Sequence, residues 1–214
     1  MRSSWRLGRW RGIPISLHWT VFIGIPWFLF QTRSVTGAAI MFVGFFLILL
    51  VHELGHAAVA RWREVDVDRI QLFFLHGTCS LNEEPYDELD DVLIAWGGVA
   101  AQFGLLVIAL GADILLGTFS PAAQGLLSPL FRVLIATNLF IIVFNLIPLA
   151  PFDGAKAWRA LPLLAEWWKQ TSWATSLRRR SAAREQARTK KLEASSERIA
   201  ADIIDKLKKG KSDA

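Results

Sequence analysis

The stretch LLVHELGHAAVA, residues 49–60, sets His52, Glu53 and His56 at the end of a long run of Phe, Leu, Ile and Val. Ionisable side chains are costly in an apolar helix, so three within five residues need a compensating partner. On a helix, His52 and His56 stand one turn apart on one face, and both imidazoles can reach a single zinc ion. Glu53 adjoins the first of them. Its carboxylate can there take a proton from a water on the metal, whose pKa zinc lowers to about 7. A catalytic zinc has three protein ligands and one open position, so the third must come from elsewhere. His76, in LHGTC, and Asp153, in PLAPFDG, are the candidates. Pro148, Pro151 and Gly154 interrupt the chain around Asp153. Backbone freed in this way is tolerated at membrane depth only inside protein or beside a wet cavity. An acid there needs a cation, which favours Asp153 over His76. Taken alone, HELGH is not decisive, since the same residues also suit a polar cap at a membrane boundary; the spaced pair of motifs favours the metal.

The elements that must position these groups are apolar. The chain has 214 residues, 53% of them hydrophobic, with ten Trp. That is enough for one domain, and more apolar than a soluble domain usually is. The lone Cys79 excludes an intramolecular disulfide and a Cys-rich metal site. Four segments approach the 20 or so residues of a spanning helix: residues 14–30, 37–60, 92–116 and 130–149. The first follows Arg2, Arg6, Arg9 and Arg11, but no small-residue cleavage pattern closes it, so it reads as a retained span. Basic residues crowd the N-terminus, the second connection (Arg61, Arg63, Arg69) and everything after Lys156. The first connection has only Arg33, and the third, TFSPAAQGLLSP, has none. Positive residues favour the cytoplasmic side. Both termini are then cytoplasmic, and HELGH and residues 145–154 come to one depth.

VDVDRIQLFFL, residues 65–75, followed by HGTCSL, reads as a short β-hairpin turning near Gly77. Residues 155–176 contain Trp158, Trp167, Trp168 and Trp173, the pattern of an amphipathic helix at the membrane interface. The tail is rich in Arg, Lys, Ala and Glu, with Ile199, Ile203 and Leu207 at helical spacing; it reads as solvated helix or disordered chain. The expected fold class is an all-α integral membrane protein with about four transmembrane helices and a small β-hairpin between the second and third. Its parts are a basic segment 1–13, a membrane-embedded core 14–154, an interfacial helix 155–176 and a basic cytoplasmic tail 177–214.

HELGH at the end of one apolar segment, followed in another by Asn145, Pro148, Asp153 and Gly154 as Asn-x-x-Pro-x-x-x-x-Asp-Gly, resembles the site-2 protease family of intramembrane zinc metalloproteases. GIPISLHW, residues 12–19, looks like the family's first-helix segment. The resemblance implies that His52, His56 and Asp153 bind one zinc ion per chain. It implies that Glu53 activates water, and that Asn145 bonds the substrate strand or the developing oxyanion. It further implies a metalloendopeptidase that cuts in or near transmembrane segments of other membrane proteins, in regulated intramembrane proteolysis, in a bacterial or archaeal cytoplasmic membrane. The family's hairpin presents substrate as an extended strand, which here points to Phe73, Phe74 and Leu75 as substrate-binding residues. There are departures. The Gly-Gly turn of many relatives is His76-Gly77-Thr78-Cys79, and the third apolar segment reads WGGVAAQ, with Gln102 where an Asn often stands. Neither a PDZ-like insertion nor a CBS-like tail fits in the remaining length. The alternative is a non-proteolytic zinc-binding adaptor of the same fold; the intact Glu53 argues against it.

Other polar residues read more plainly. His18 is an interfacial residue or one that approaches the metal. Cys79 and His76 are loop residues, with a redox or metal-tuning pair as the sharper reading. Asp113 caps a helix, and Asn138 bonds another helix. The basic run LRRRSAAREQARTKK suits anionic lipid of the bilayer, and nothing supports nucleic-acid binding. Substrate identity and oligomeric state are not legible.

Overall fold

The computed structural model describes residues 4–170 and 172–210. Arg2 lies outside them, and the side chains of Trp173, Ile199, Ile203 and Leu207 lie outside the described residues as well. The chain divides into two compact units, one up to Ala160 and one from Leu161.

The first unit begins with β1 (Ser4–Trp10) and β2 (Ile13–His18), an antiparallel hairpin. Its two-residue turn, Arg11-Gly12, has positive φ at both positions, 48° and 91°, the mirror-image turn that matches strand twist and favours Gly second. A 3-10 turn, Trp19–Ile23, leads into α1 (Gly24–Thr32). Residues 14–30 therefore do not form the single spanning helix that their composition suggested. Ile13, Ile15 and Leu17 alternate with Pro14, Ser16 and His18. That is the period of a strand with one buried face, and Pro14 would have to open any helix. The nine residues of α1 rise only about 14 Å, too short for a bilayer core of about 30 Å.

Among the described residues, three helices are long and apolar enough to cross a membrane. The first is α2 (Val35–Trp62), capped by the Ser34 hydroxyl accepting from Gly37 N–H. The second is α3 (Glu88–Phe119), capped by Asp87 accepting from Asp90 N–H at 2.7 Å. The third is a continuous run, Pro121–Asn145, made of α4 (Pro121–Arg132), a π turn (Val133–Thr137) and α5 (Asn138–Asn145). It starts nearer the chain's middle than the expected 130, because Pro121 occupies a first-turn position where its missing N–H is harmless. Pro129, inside the helix, frees the Gly125 carbonyl, and the Ser128 hydroxyl donates to it at 3.1 Å.

Between α2 and α3 lies the expected hairpin, β3 (Val67–Leu72) and β4 (Gly77–Leu81), closed by Phe73 N–H donating to His76 O at 2.9 Å. It is half of a larger sheet. β3 pairs in parallel with β2, giving the order β1-β2-β3-β4 with β4 at one edge. Ile13, Ile70 and Leu72 on the sheet pack against Leu49, Ala57 and Ala60 on α2 in one buried cluster. The site-bearing end of α2 is thus clamped under the sheet. On its other side α2 meets α3 backbone to backbone: a Cβ on Gly97 would stand 2.6 Å from the Gly55 carbonyl. Small residues allow this approach in membrane helices. Arg63 pairs with Asp90 at the same end. Val43, Val107, Ile108, Ile114, Leu139 and Val143 are exposed along the helices, an apolar surface suited to lipid.

After α5 the chain runs irregularly to α6 (Gly154–Ala157), with a cis peptide bond at Ala150–Pro151. α7 (Ala160–Gln170) follows, so residues 155–170 form two short helices rather than one. α8 (Ser172–Gly210) makes up most of the second unit. It is the helical one of the two tail readings. A helix polar all round is solvent-facing, and its described side chains are exposed.

Candidate metal centre

His52 and His56 lie one turn apart on the buried face of α2. Their Nε2 atoms are 3.0 Å apart. Asp153 reaches them from beyond α5, its Oδ2 2.9 Å from His52 Nε2 and 3.3 Å from His56 Nε2. Among the described residues these three are the one group placed to hold a metal together. Tetrahedral zinc with bonds of about 2.0–2.1 Å sets its donors about 3.3 Å apart; the observed triangle needs only slight widening.

The far ring nitrogens fit a metal too. His52 Nδ1 lies 2.9 Å from Gln102 Oε1, and His56 Nδ1 lies 2.7 Å from the Ile94 carbonyl. Both partners are acceptors, so each Nδ1 carries the proton and each Nε2 turns its lone pair toward Asp153, the arrangement of metal-binding histidines. Ile94, Gly98 and Gln102 are spaced by four on α3, one face of the helix. Gly98 is where the rings lie against α3: a Cβ there would stand 2.6 Å from Cε1 of His52 and from Cε1 and Nε2 of His56.

The segment carrying Asp153 is tied down by hydrogen bonds rather than by helix periodicity. Trp96 Nε1 donates to the Ala157 carbonyl at 3.0 Å, and Trp158 Nε1 donates to Leu146 O at 2.7 Å. Lys156 and Arg159 pair with Asp91 and Glu88 at the start of α3, at 2.6–3.3 Å.

Glu53 is buried at 4% exposure and faces the start of β4, where Gly77 has no Cβ to collide with its carboxylate. Asn145 Nδ2 stands 3.4 Å from His52 Nε2, so its amide also borders the site. Two cavities meet here. One, of about 900 Å³, is walled by Phe28, Phe45, Leu49, Phe140, Ile141 and Phe144 and reaches His52, Glu53, His56 and Asp153. The other, of about 370 Å³, runs along β4 from Gly77 to Leu81 and is bordered by Asp91 and Lys156.

Other candidates stand apart from the ligand triangle. His76 stacks on Phe73 at 4.8 Å and lines the larger cavity. His18 caps the 3-10 turn, its Nδ1 3.0 Å from Thr20 Oγ1, and its ring lies 4.8 Å from Phe73. Of the three residues expected to bind substrate, Leu75 lines the larger cavity, at 72% exposure, and Phe73 and Phe74 line neither of the two. Phe73 sits between the two histidine rings, and Phe74 packs under Gly24 and Phe28 of α1. The edge strand β4 also borders the site. Cys79 lines the smaller cavity; burial, then the charge of Glu53, pushes its thiol up to about 12, so it stays protonated. Sequence reasoning left Gly77, Ile94 and Gly98 out of the site and gave Gln102 no role there. The i, i+4 spacing of the last three was the available signal.

Buried imidazoles and a carboxylate converge beside membrane-length helices, giving a helical membrane protein with a candidate metal centre. No family model matches the chain. Rip3 of Mycobacterium tuberculosis is 30% identical to it, across 75% of this chain and 44% of that protein. A zinc metalloprotease of Methanocaldococcus jannaschii is 31% identical, across 75% of this chain and 46% of that protein. The chain spans a little under half the length of these curated relatives. A solved site-2 protease from Methanocaldococcus jannaschii matches with a TM-score of 0.57 and 28% identity, covering 74% of this chain and 71% of that one. The chain is an integral membrane protein that resembles the site-2 protease family in sequence and in fold.

Proposed function

We propose that the chain is an intramembrane zinc metalloendopeptidase that hydrolyses peptide bonds in or near transmembrane segments of other membrane proteins. The observation that carries this reading is the meeting of His52, His56 and Asp153 beside Glu53, where two cavities join. His52, His56 and Asp153 would hold the metal. Zinc bound there would supply a Lewis acid to a water and to the scissile carbonyl.

The remaining steps belong to the chain's own side chains. Glu53 takes a proton from the attacking water on one carboxylate oxygen and returns it to the leaving amine. Asn145 Nδ2 donates to the carbonyl oxygen as negative charge grows on it. The free edge of β4, beginning at Gly77 against Glu53, pairs with an extended substrate segment. The apolar walls of the larger cavity take the hydrophobic side of that segment. A regular helix hides its peptide bonds, so the substrate unwinds locally before it lies along β4.

The same reading places the protein in a bacterial or archaeal cytoplasmic membrane with the HELGH end of α2 toward the cytoplasm, as the distribution of Lys and Arg supports. The basic α8 then contacts anionic lipid. The test compares the purified full chain with Glu53→Gln on a membrane-spanning test substrate. The variant should keep its zinc and lose at least about a hundredfold in cleavage rate. Equal cleavage by both proteins would remove Glu53 from the mechanism. Zinc binding without cleavage by either would favour the adaptor.

A further inference from the structure

Two side chains behind the metal centre are fully enclosed and incompletely bonded, and their unmet groups are complementary. Gln102 and Asn138 are both at 0% exposure. Gln102 uses Oε1 on His52 Nδ1, and Asn138 Nδ2 donates to the Gln102 backbone carbonyl at 2.9 Å. Gln102 Nε2, a donor, and Asn138 Oδ1, an acceptor, are left without a protein partner among the described residues. Buried polar groups are nearly always satisfied. Val99, Leu106 and Ile142 form an apolar cluster across the same helix pair, so a polar bridge there is sheltered from solvent.

The two residues come from different spans. Asn138 directly follows the π turn Val133–Thr137. Such a turn takes up an extra residue and changes the face on which later side chains emerge. Asn138 meets Gln102, and Asn145, seven residues on and so on the same face, meets His52. The neighbouring face of α5 carries Phe140, Ile141 and Phe144 into the larger cavity.

We propose that Gln102 and Asn138 form a brace shared by α3 and α5 that holds the His52 ring for metal binding, through Gln102 Oε1 on His52 Nδ1 and Asn138 Nδ2 on the Gln102 carbonyl. The proposal rests on the reading of His52 as a ligand. An amide can turn over and present its NH2 group where its oxygen was. In Gln102 that turn would offer a donor to His52 Nδ1 and take the Nε2 lone pair from the metal. In the observed arrangement the oxygen is the atom on His52, and Asn138 holds the Gln102 backbone that carries it. The orientation of the first ligand then depends on α5, the helix that also walls the cavity for substrate. Gln102 and Asn138 are positioning residues; neither touches the reacting atoms.

The test is zinc affinity of the full-length protein in detergent, measured by competition with a chromophoric chelator. Thermal unfolding of the zinc-free forms checks that each variant is folded. Gln102→Leu should weaken zinc binding about 10–100-fold, while Gln102→Glu, which keeps the acceptor, should stay within about threefold of wild type. Asn138→Leu should weaken binding about fivefold or more although it touches no ligand, and the double variant should be no weaker than Gln102→Leu alone, within about twofold. Wild-type affinity in Asn138→Leu, effects that add in full, or Gln102→Glu as weak as Gln102→Leu would overturn the brace. His52→Ala is the control. If it binds zinc as wild type does, the metal-centre reading falls and takes the brace with it; if it loses zinc while the others do not, the brace alone falls.

Discussion

The two sides of the metal centre are built by different physics. His52 and His56 stand on a continuous helix whose backbone touches α3 at Gly55 and Gly97, and their rings are bonded to Gln102 and the Ile94 carbonyl. Asp153 stands on an irregular segment held by two indole hydrogen bonds and a group of part-exposed ion pairs. The histidine side depends on close packing, which tolerates no added volume. The aspartate side depends on individual polar contacts, each of modest strength. A perturbation of the first should be severe and indifferent to salt. One of the second should be graded and partly salt-sensitive.

The largest expected effect in this contrast is at Gly98. Gly98→Ala puts a methyl against both imidazoles and should lower zinc affinity at least about a hundredfold. In the middle of α3 the same change favours the helix by up to about 1 kcal/mol. Metal affinity and the stability of the zinc-free protein should therefore move in opposite directions, or stability should fall much less than affinity. Trp96→Phe comes next. It removes the bond to the Ala157 carbonyl, and should cost about 1 kcal/mol and up to about tenfold in zinc affinity by loosening the Asp153 segment. Asp91→Asn weakens the pairs with Lys156 and Arg159. These pairs are exposed on the basic side, so the loss should be at most about fourfold at low ionic strength and should shrink as salt is added. If Asp91→Asn exceeded Gly98→Ala, the assignment of rigidity to the α2–α3 side would be wrong.

The smallest effect is expected at Cys79. Its thiol is held up to about 12, because burial and then the charge of Glu53 disfavour the thiolate. Alkylation of the zinc-free protein should therefore be slow at pH 8 and speed up as pH rises toward that value. Cys79→Ala should leave zinc affinity unchanged within about twofold.

The same contrast explains what could be read in advance. HELGH is local: helical periodicity alone puts both imidazoles on one face, and the apolar run around them marks the helix. Asp153 was legible because Pro148, Pro151 and Gly154 announce interrupted chain. The β3–β4 hairpin follows from alternation in VDVDRIQL. Residues 14–30 were misjudged because apolar content outweighed the alternation of Ile13, Ile15 and Leu17 with Pro14 between them. The role of Gln102 was not legible, since it depends on the register of α2 against α3, which Gly55 and Gly97 set only once the helices are packed. Nor does any local signal mark the π turn or the indole bonds to Ala157 and Leu146, because their acceptors are backbone carbonyls. Contacts within one element were readable; contacts between elements were readable only where both sides carried unusual residue types.

The central claim is that one metal is gripped jointly by α2 and the segment after α5. Zinc stoichiometry and X-ray absorption on the full chain in detergent test it most directly, on wild type and Asp153→Ala. The expected result is one zinc per chain with two imidazole nitrogens and a carboxylate oxygen, and an affinity lower by about three orders of magnitude in Asp153→Ala. Zinc retained by Asp153→Ala at wild-type affinity and with an unchanged absorption spectrum would contradict it.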